Sequence, residues 1–435
     1  MVDAALYGSG NPAIVLTYAW DRLLIDPLPG PRSPADFTGL TTLTPNVFVV
    51  TAESRPVPPA DSTLPRLALE VRQTIGLIDP RYGAEGVLRQ LTEVVELLRP
   101  ESIDRLDVGG DILAWGDEAT LRSPLADALV LAACPRLDAD VRLLLAGPGL
   151  DGELTVGELY PLLGRNVLTL SPDDVGGAGV LERRPSEAAA MLAATARGVR
   201  GRCEVRDAGL PVPLTDEGST VHADDPAVAF ARSTLARTVA RTRTLTEAET
   251  LSCETIGFSE IDYECTKASR LRSAPVRPLD RGDVLDRVTD FEQGVRARQI
   301  SHTTVRRMTE ALGLPGEHRE PLKALLIRYR PGQYVAPLWL ICRGGRRRVE
   351  FRGTAAGRGW GVVGSGTRAE VPPRVRGVAP EGCPCRRDPR TRGVECRSAW
   401  SRPQSREPTT EVCHCPQLHA KQAHFDACAT RSRMD

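Results

Sequence analysis

The strongest constraint on the fold of this chain is an alternation that runs through residues 13–206. Short runs of Val, Ile and Leu take turns with longer stretches whose apolar residues recur every three or four positions. A nearly continuous apolar run has no polar face to offer to water, so as a strand it needs cover on both sides. Helices between successive strands supply that cover, and strands linked through a helix run parallel. The expectation is an α/β chain: a Rossmann-like, mostly parallel sheet with helices on both faces. Candidate strands are residues 13–18, 47–51, 74–78, 105–113, 141–146, 166–170 and 202–206.

Three helices are marked by their own chemistry. Residues 86–98 set Val87, Leu91, Val94, Val95 and Leu98 on one stripe, and Pro100 ends it. Ser123 followed by Pro124 has the form of an N-cap and first helical residue, opening a helix over 125–133. Thr155 and Glu158 have capping-box spacing, which starts another helix running to Leu163. Beyond Leu214 the pattern becomes helix-rich, with helices expected at 226–241, 246–256, 285–299 and 303–312. The domain reading is therefore an α/β domain over 1–214, a helix-rich extension or subdomain over 215–341, and a tail over 342–435.

That tail is a different material. The whole chain has 56 basic and 56 acidic residues, yet from Arg343 onward arginines exceed acids, so the tail carries about +10 and the remainder about −10. Periodicity vanishes there while Arg, Gly, Pro and Cys accumulate, as in a disordered segment or the product of GC-rich DNA read in a shifted frame. Its cysteine pairs, Cys383/Cys385 and Cys413/Cys415, are spaced C-x-C, whereas structural zinc sites place paired ligands two to four residues apart, so zinc in the tail is disfavoured. The earlier cysteines, Cys134, Cys203, Cys253 and Cys265, are widely separated and read as reduced thiols. No run is long enough to cross a bilayer and no secretory signal opens the chain, so no membrane partner and a cytoplasmic location are expected. Zero net charge gives no reason to expect nucleic acid.

The best chemical motif is the segment from Asp107 through Gly109, Gly110 and Asp111 to Asp117, Glu118, Ser123 and Asp127. Adjacent glycines at a strand end let backbone come close to a ligand, and carboxylates beside them can hold a divalent metal or exchange protons. In open parallel sheets ligands bind beyond the carboxyl ends of the strands, which is where these residues fall. A second strand ends in Gly147, Gly149 and Asp151 ahead of the capped helix at Thr155, a candidate anion cradle. Asp107, Asp111, Asp117 and Glu118 are thus candidate catalytic or metal-ligating residues. Gly109, Gly110, Gly147, Gly149, Asp151 and Ser123 are candidate ligand-binding residues, the glycines through their N–H groups. The proline loop at residues 26–32 and the acidic-aromatic segment 257–264 are weaker candidates for a lid or substrate contact.

Several of these blocks resemble an uncharacterised bacterial and archaeal family, domain of unknown function 1152. The resemblance rests on DVGGDILAWGDEATLRSPLADAL (107–129), AGPGLDGEL (146–154), WDRLLIDPLPGPR (20–32) and GFSEIDYE (257–264), and extends over about residues 13–341 through RYRPGQYVAPLWL (328–340). It implies an α/β, Rossmann-like fold and names no activity. Relatives open with a strand, a run of glycines and an Asp; this chain opens with MVDAALYGSGNPAIVL, so that first strand and loop are expected to be missing.

The leading expectation is an enzyme-like protein binding a small anionic, nucleotide-like or phosphorylated ligand at the strand ends, with a divalent metal as the candidate cofactor. The alternative is a non-catalytic module that binds a small molecule or a protein, an inactive relative lacking the N-terminal loop. A third reading is DNA binding by the 301–312 helix, which would present Arg306 and Arg307 after a Ser301 cap.

Overall fold

Residues 141–146 show why the apolar runs become strands. The computed structural model describes residues 1–8, 13–175, 186–206, 210–273 and 279–341, and in it Val141–Ala146 is a strand whose last four residues are buried. Leu143 and Leu145 enter one hydrophobic core and Leu144 and Ala146 enter another. A strand with a core on each face has no use for polar residues there, and the sequence supplies none over Leu143–Ala146, its one polar residue, Arg142, lying in the half-buried start.

The strands are β1 (Ile14–Thr17), β2 (Phe37–Thr38), β3 (Thr41–Thr42), β4 (Phe48–Val50), β5 (Arg55–Pro56), β6 (Thr74–Leu77), β7 (Ile103–Val108), β8 (Val141–Ala146), β9 (Arg165–Thr169), β10 (Gly201–Glu204), β11 (Val212–Leu214), β12 (Thr220–Asp224), β13 (His302–Thr304), β14 (Tyr334–Val335) and β15 (Leu338–Leu340). The helices are α1 (Val2–Tyr7), α2 (Leu64–Glu70), α3 (Gly83–Leu98), α4 (Pro124–Ala133), α5 (Val156–Leu159), α6 (Glu187–Ala196), α7 (Pro226–Arg232), α8 (Thr234–Val239), α9 (Leu245–Ile256), α10 (Glu260–Ser273), α11 (Arg281–Ala297), α12 (Val305–Ala311) and α13 (Arg319–Tyr329).

The class is mixed α/β, and the pairing is not mostly parallel as the alternation suggested. Sheet orders are β1-β6-β4-β3, β7-β8-β12-β9 and β11-β10-β13-β15-β14, with a two-stranded β2-β5 ribbon. Parallel pairs are β1–β6, β7–β8 and β10–β13; the rest are antiparallel. Hydrophobic pattern identifies a strand but is silent on its direction. Here β12 inserts between β8 and β9 running against both, and short hairpins fold β3 onto β4 and β14 onto β15.

Helix α3 buries Val87, Leu91 and Val94 of its expected stripe but leaves Val95 half-buried and Leu98 exposed in its last turn, and it begins three residues early because Thr242 satisfies its first donors. Ala84 N–H donates to Thr242 Oγ1 at 3.1 Å and Glu85 N–H to the Thr242 carbonyl at 3.0 Å. The Thr155/Glu158 capping box forms, but its helix is one turn, continued as a 3-10 turn to Leu162. The long helix expected at 226–241 is broken by Ser233, whose side chain caps α8. The strand expected to run to Leu113 stops at Val108 because Gly109 and Gly110 turn the chain, at φ +126° and +116°.

The DNA-reading expectation fails on burial. Thr304, not Ser301, caps α12, and both arginines lie inside the protein. Arg306 pairs with Glu187 at 2.6 Å and Glu310 at 3.1 Å, while Arg307 pairs with Glu204 at 2.8 Å. Among the described residues no helix is long and apolar enough to cross a membrane. The tail and its cysteine pairs lie outside the described residues, as do residues 9–12 of the N-terminal segment.

Candidate functional site at the ends of three strands

Strands β1, β7 and β8 deliver their following residues to one place. Tyr18 follows β1, the turn Gly109–Gly110 follows β7, and Gly147–Glu153 follows β8. The two glycine bends are stitched together directly: Gly149 N–H donates to the Gly109 carbonyl at 2.6 Å. Glycine is required at 109 because a Cβ there would lie 2.4 Å from Asp151 Cγ, and positive φ already disfavours any side chain.

Around this junction Asp107, Asp111 and Asp127 converge, one carboxylate oxygen of each lying within 4.8 Å of the others. Asp107 is 7% exposed and Asp111 9%. Asp107 Oδ2 accepts the Gly110 N–H at 2.8 Å, and Asp127 is ion-paired with Arg105 from β7. Asp151 packs beside them, and its Oδ1 accepts Glu153 N–H at 3.1 Å. Glu153 in turn accepts Arg122 N–H at 2.6 Å and the Ser123 hydroxyl at 3.1 Å, and pairs with Arg206 at 3.2 Å. The Ser123 hydroxyl is also 3.5 Å from Asp111 Oδ2.

Burial and mutual repulsion keep protons on this cluster. Burial, then the charge of Asp127, pushes Asp107 up to about 7, against the opposing pull of Arg105 and the Gly110 N–H. Burial and the neighbouring Asp127, Asp107, Asp151 and Glu153 hold Asp111 well above the ordinary carboxylate range. Burial, with Glu153 beside it, pushes Asp151 up to about 8. Burial also raises Asp127, although Arg105 opposes the shift. At neutral pH the carboxyls therefore share protons where a cation would let them ionise.

Among the described residues, three buried polar atoms around the cluster have no hydrogen-bond partner: Asp151 Oδ2, Arg105 Nε and the Tyr18 hydroxyl. Burial raises the Tyr18 phenol far above its ordinary value, with Arg105 and Asp127 the nearest charges acting on it. Unpaired buried polar atoms are uncommon, and three of them gather in this one neighbourhood.

The expected site residues sort cleanly. Asp107, Asp111, Asp151 and Ser123 come together. Asp117 is exposed, and Glu118 is spent on its own loop, accepting the N–H groups of Trp115 at 2.8 Å and Gly116 at 2.9 Å. The glycines do not form an anion cradle, because every N–H has a protein acceptor: Gly109 donates to Ala146, Gly110 to Asp107, Gly147 to Thr220 and Gly149 to Gly109. Their contribution is close approach of the two loops. Ser123 occupies the N-cap position of α4 but makes no cap bond. Glu260 supplies that instead, its Oε2 accepting Leu125 N–H at 3.1 Å and Ala126 N–H at 3.4 Å.

The two weaker motifs turn out to be braces. Segment 257–264 ends one helix and begins α10, which projects Glu260 onto α4 and Glu264 onto the proline loop. Glu264 Oε2 accepts Gly30 N–H at 2.8 Å and Trp20 Nε1–H at 3.0 Å. Tyr18, Arg105 and Arg206 carried no signal of their own in the sequence, while Glu153 and Glu260 lay within segments singled out there without a role of their own. Asp127 did carry one, as the end of the best motif, without a role attached.

Among the described residues, the two buried thiols are poor nucleophiles. Cys134 is buried and burial pushes it up to about 11, and Cys203 is raised further by the same cause.

No curated protein and no solved structure matches the chain. A family model described as a protein of unknown function, DUF1152, matches residues 1–268, so it takes in the whole carboxylate cluster and begins earlier and ends sooner than the motifs suggested. With well over half its length matched, the chain belongs to the DUF1152 family.

Proposed function

We propose that the protein binds a divalent cation at Asp107, Asp111 and Asp127 and, through it, a small anionic ligand, in an enzyme-like site. The observation that carries this reading is the meeting of two buried carboxylates and the half-buried Asp127 within 4.8 Å, with three polar atoms around them unpartnered among the described residues. Left alone, so acidic a place repels an anion. A dication displaces the shared protons, neutralises the carboxylates and offers open positions to a phosphate or carboxylate oxygen.

An all-oxygen ligand set favours a hard ion such as magnesium, manganese or calcium over zinc or copper. With the glycine N–H groups already used, the cation is what recognises the anion. Asp151, pushed up to about 8 with one oxygen unpartnered, is the group fitted to take or give a proton beside the bound ligand. Ser123 and the buried Tyr18 add hydroxyls beside the carboxylates.

The Rossmann-like reading of the fold belongs to the same proposal. Its support is the parallel β7–β8 pair with α4 in the connection, and a site at the carboxyl ends of β1, β7 and β8.

The test is thermal unfolding of the full chain with magnesium, manganese, calcium or zinc, alone and with nucleotides and sugar phosphates. A saturating cation at about a hundred times its Kd should add about 2.7 kcal/mol of stability. We expect hard cations to stabilise the protein, Asp111→Asn to abolish the effect, and sugar monophosphates to add stability only when the cation is present. No cation-dependent shift, or a sugar-monophosphate shift that persists in EDTA, refutes the reading.

A further inference from the structure

The turn between β6 and α3 holds a second feature, unrelated to the acidic cluster. Thr242 closes off the first N–H groups of α3, and this contact brings residues 241–243 against the first turn of the helix. A cavity of about 420 Å³ opens there, lined by Tyr82, Glu85, Gly86, Arg89, Arg241 and Arg243. Three arginines and one carboxylate line it, and Arg89 also acts on Glu93 one turn along the helix.

The lining carboxylate is already taken. Arg136 holds both oxygens of Glu85, at 2.9 and 3.0 Å, and Arg241 reaches one of them at 3.4 Å. Arg89 lies over the Tyr82 ring, 5.5 Å from its centroid, and neither Arg89 nor Arg243 forms a salt bridge among the described residues. Tyr82 itself is 49% exposed, a large aromatic ring left at the mouth of the cavity.

Like charges drawn around a concavity repel one another until an anion joins them. Guanidinium forks match the oxygens of a phosphate two at a time, and three of them suit a ligand with more than one phosphate. The volume falls in the range of small-molecule sites, roughly 300–1,000 Å³. From this convergence of three arginines and an exposed tyrosine on one cavity, we infer that the cleft is a binding site for a small molecule carrying a di- or triphosphate. It needs no metal, because its own side chains supply the positive charge.

The test is calorimetric titration of inorganic pyrophosphate and tripolyphosphate into the full chain, at near-physiological salt and in EDTA. We expect saturable binding to one site. Arg89→Ala and Arg243→Ala should each weaken it roughly tenfold, the size of a lost charge-assisted hydrogen bond, with unchanged melting because both side chains are on the surface. Absence of saturable heat overturns the inference, as does binding that survives the double substitution. Loss of binding in Asp111→Asn would place the anion at the acidic cluster and also overturn it. Chloride competing as well as sulfate would reduce it to general screening, and a strong preference for RNA over tripolyphosphate would assign the arginines to a different partner.

Discussion

Raising the pH of the metal-free protein should cost it stability, and the acidic cluster sets the size. A carboxyl whose folded-state pKa lies above its unfolded value keeps its proton in the folded chain after the unfolded chain has lost it. Stability is then full below the unfolded pKa and is lost as pH rises toward the folded one. For Asp107 the window runs from 3.8 to about 7. At about 1.4 kcal/mol per pH unit this amounts to about 4 kcal/mol, taken once for the cluster because Asp107, Asp111 and Asp127 share protons. At about 2 °C per kcal/mol for a chain of this size, the midpoint should drop by about 8 °C across the window through this cluster alone. Asp107→Asn keeps the shape and removes this titration, so it isolates the effect. The assay is urea unfolding at pH 5, 6, 7 and 8 in EDTA for the protein and the variant. The variant should be more stable at pH 8, with the difference shrinking toward pH 5. A variant no more stable than the parent at pH 8 would refute the electrostatic argument.

Three further outcomes follow from individual contacts. Gly109→Ala should destabilise the protein by about 1–3 kcal/mol, measured by denaturation, because its Cβ meets Asp151 Cγ at 2.4 Å and φ is +126°. Glu260 is raised well above the carboxylate range by burial and by Glu264, so Glu260→Gln should be nearly neutral at pH 7 while Glu260→Ala, which loses the cap on α4, should cost about 1–2 kcal/mol. Brief alkylation at pH 7.5 followed by site-resolved mass spectrometry should label exposed Cys253 and Cys265 well ahead of buried Cys134 and Cys203.

How far the sequence was readable depends on whether a residue's partners lie close along the chain. The apolar run of β8 was readable because two cores demand it, and Asp107 and Asp111 stood out because glycines flank them at a strand end. The Thr155 capping box was equally local and formed as expected. Ser123 shows the limit: its pattern is that of a cap, yet Glu153, thirty positions on, takes the hydroxyl, and Glu260, well over a hundred positions on, takes the helix donors. Tyr18, Glu153, Arg206 and Glu260 join the site only through tertiary packing, so no spacing rule could find them. The arginines of α12 misled for the same reason, since Glu187 and Glu204, which bury them, come from distant elements. Strand direction was illegible because an apolar run is the same read either way.

The account rests on a cation binding where three carboxylates meet, and anomalous diffraction from crystals grown with manganese tests that most directly. The predicted result is one strong peak at coordination distance, about 2–2.5 Å, from oxygens of Asp107, Asp111 and Asp127, absent in Asp111→Asn crystals. A difference map with no peak there, or with manganese bound only at other carboxylates, would contradict it.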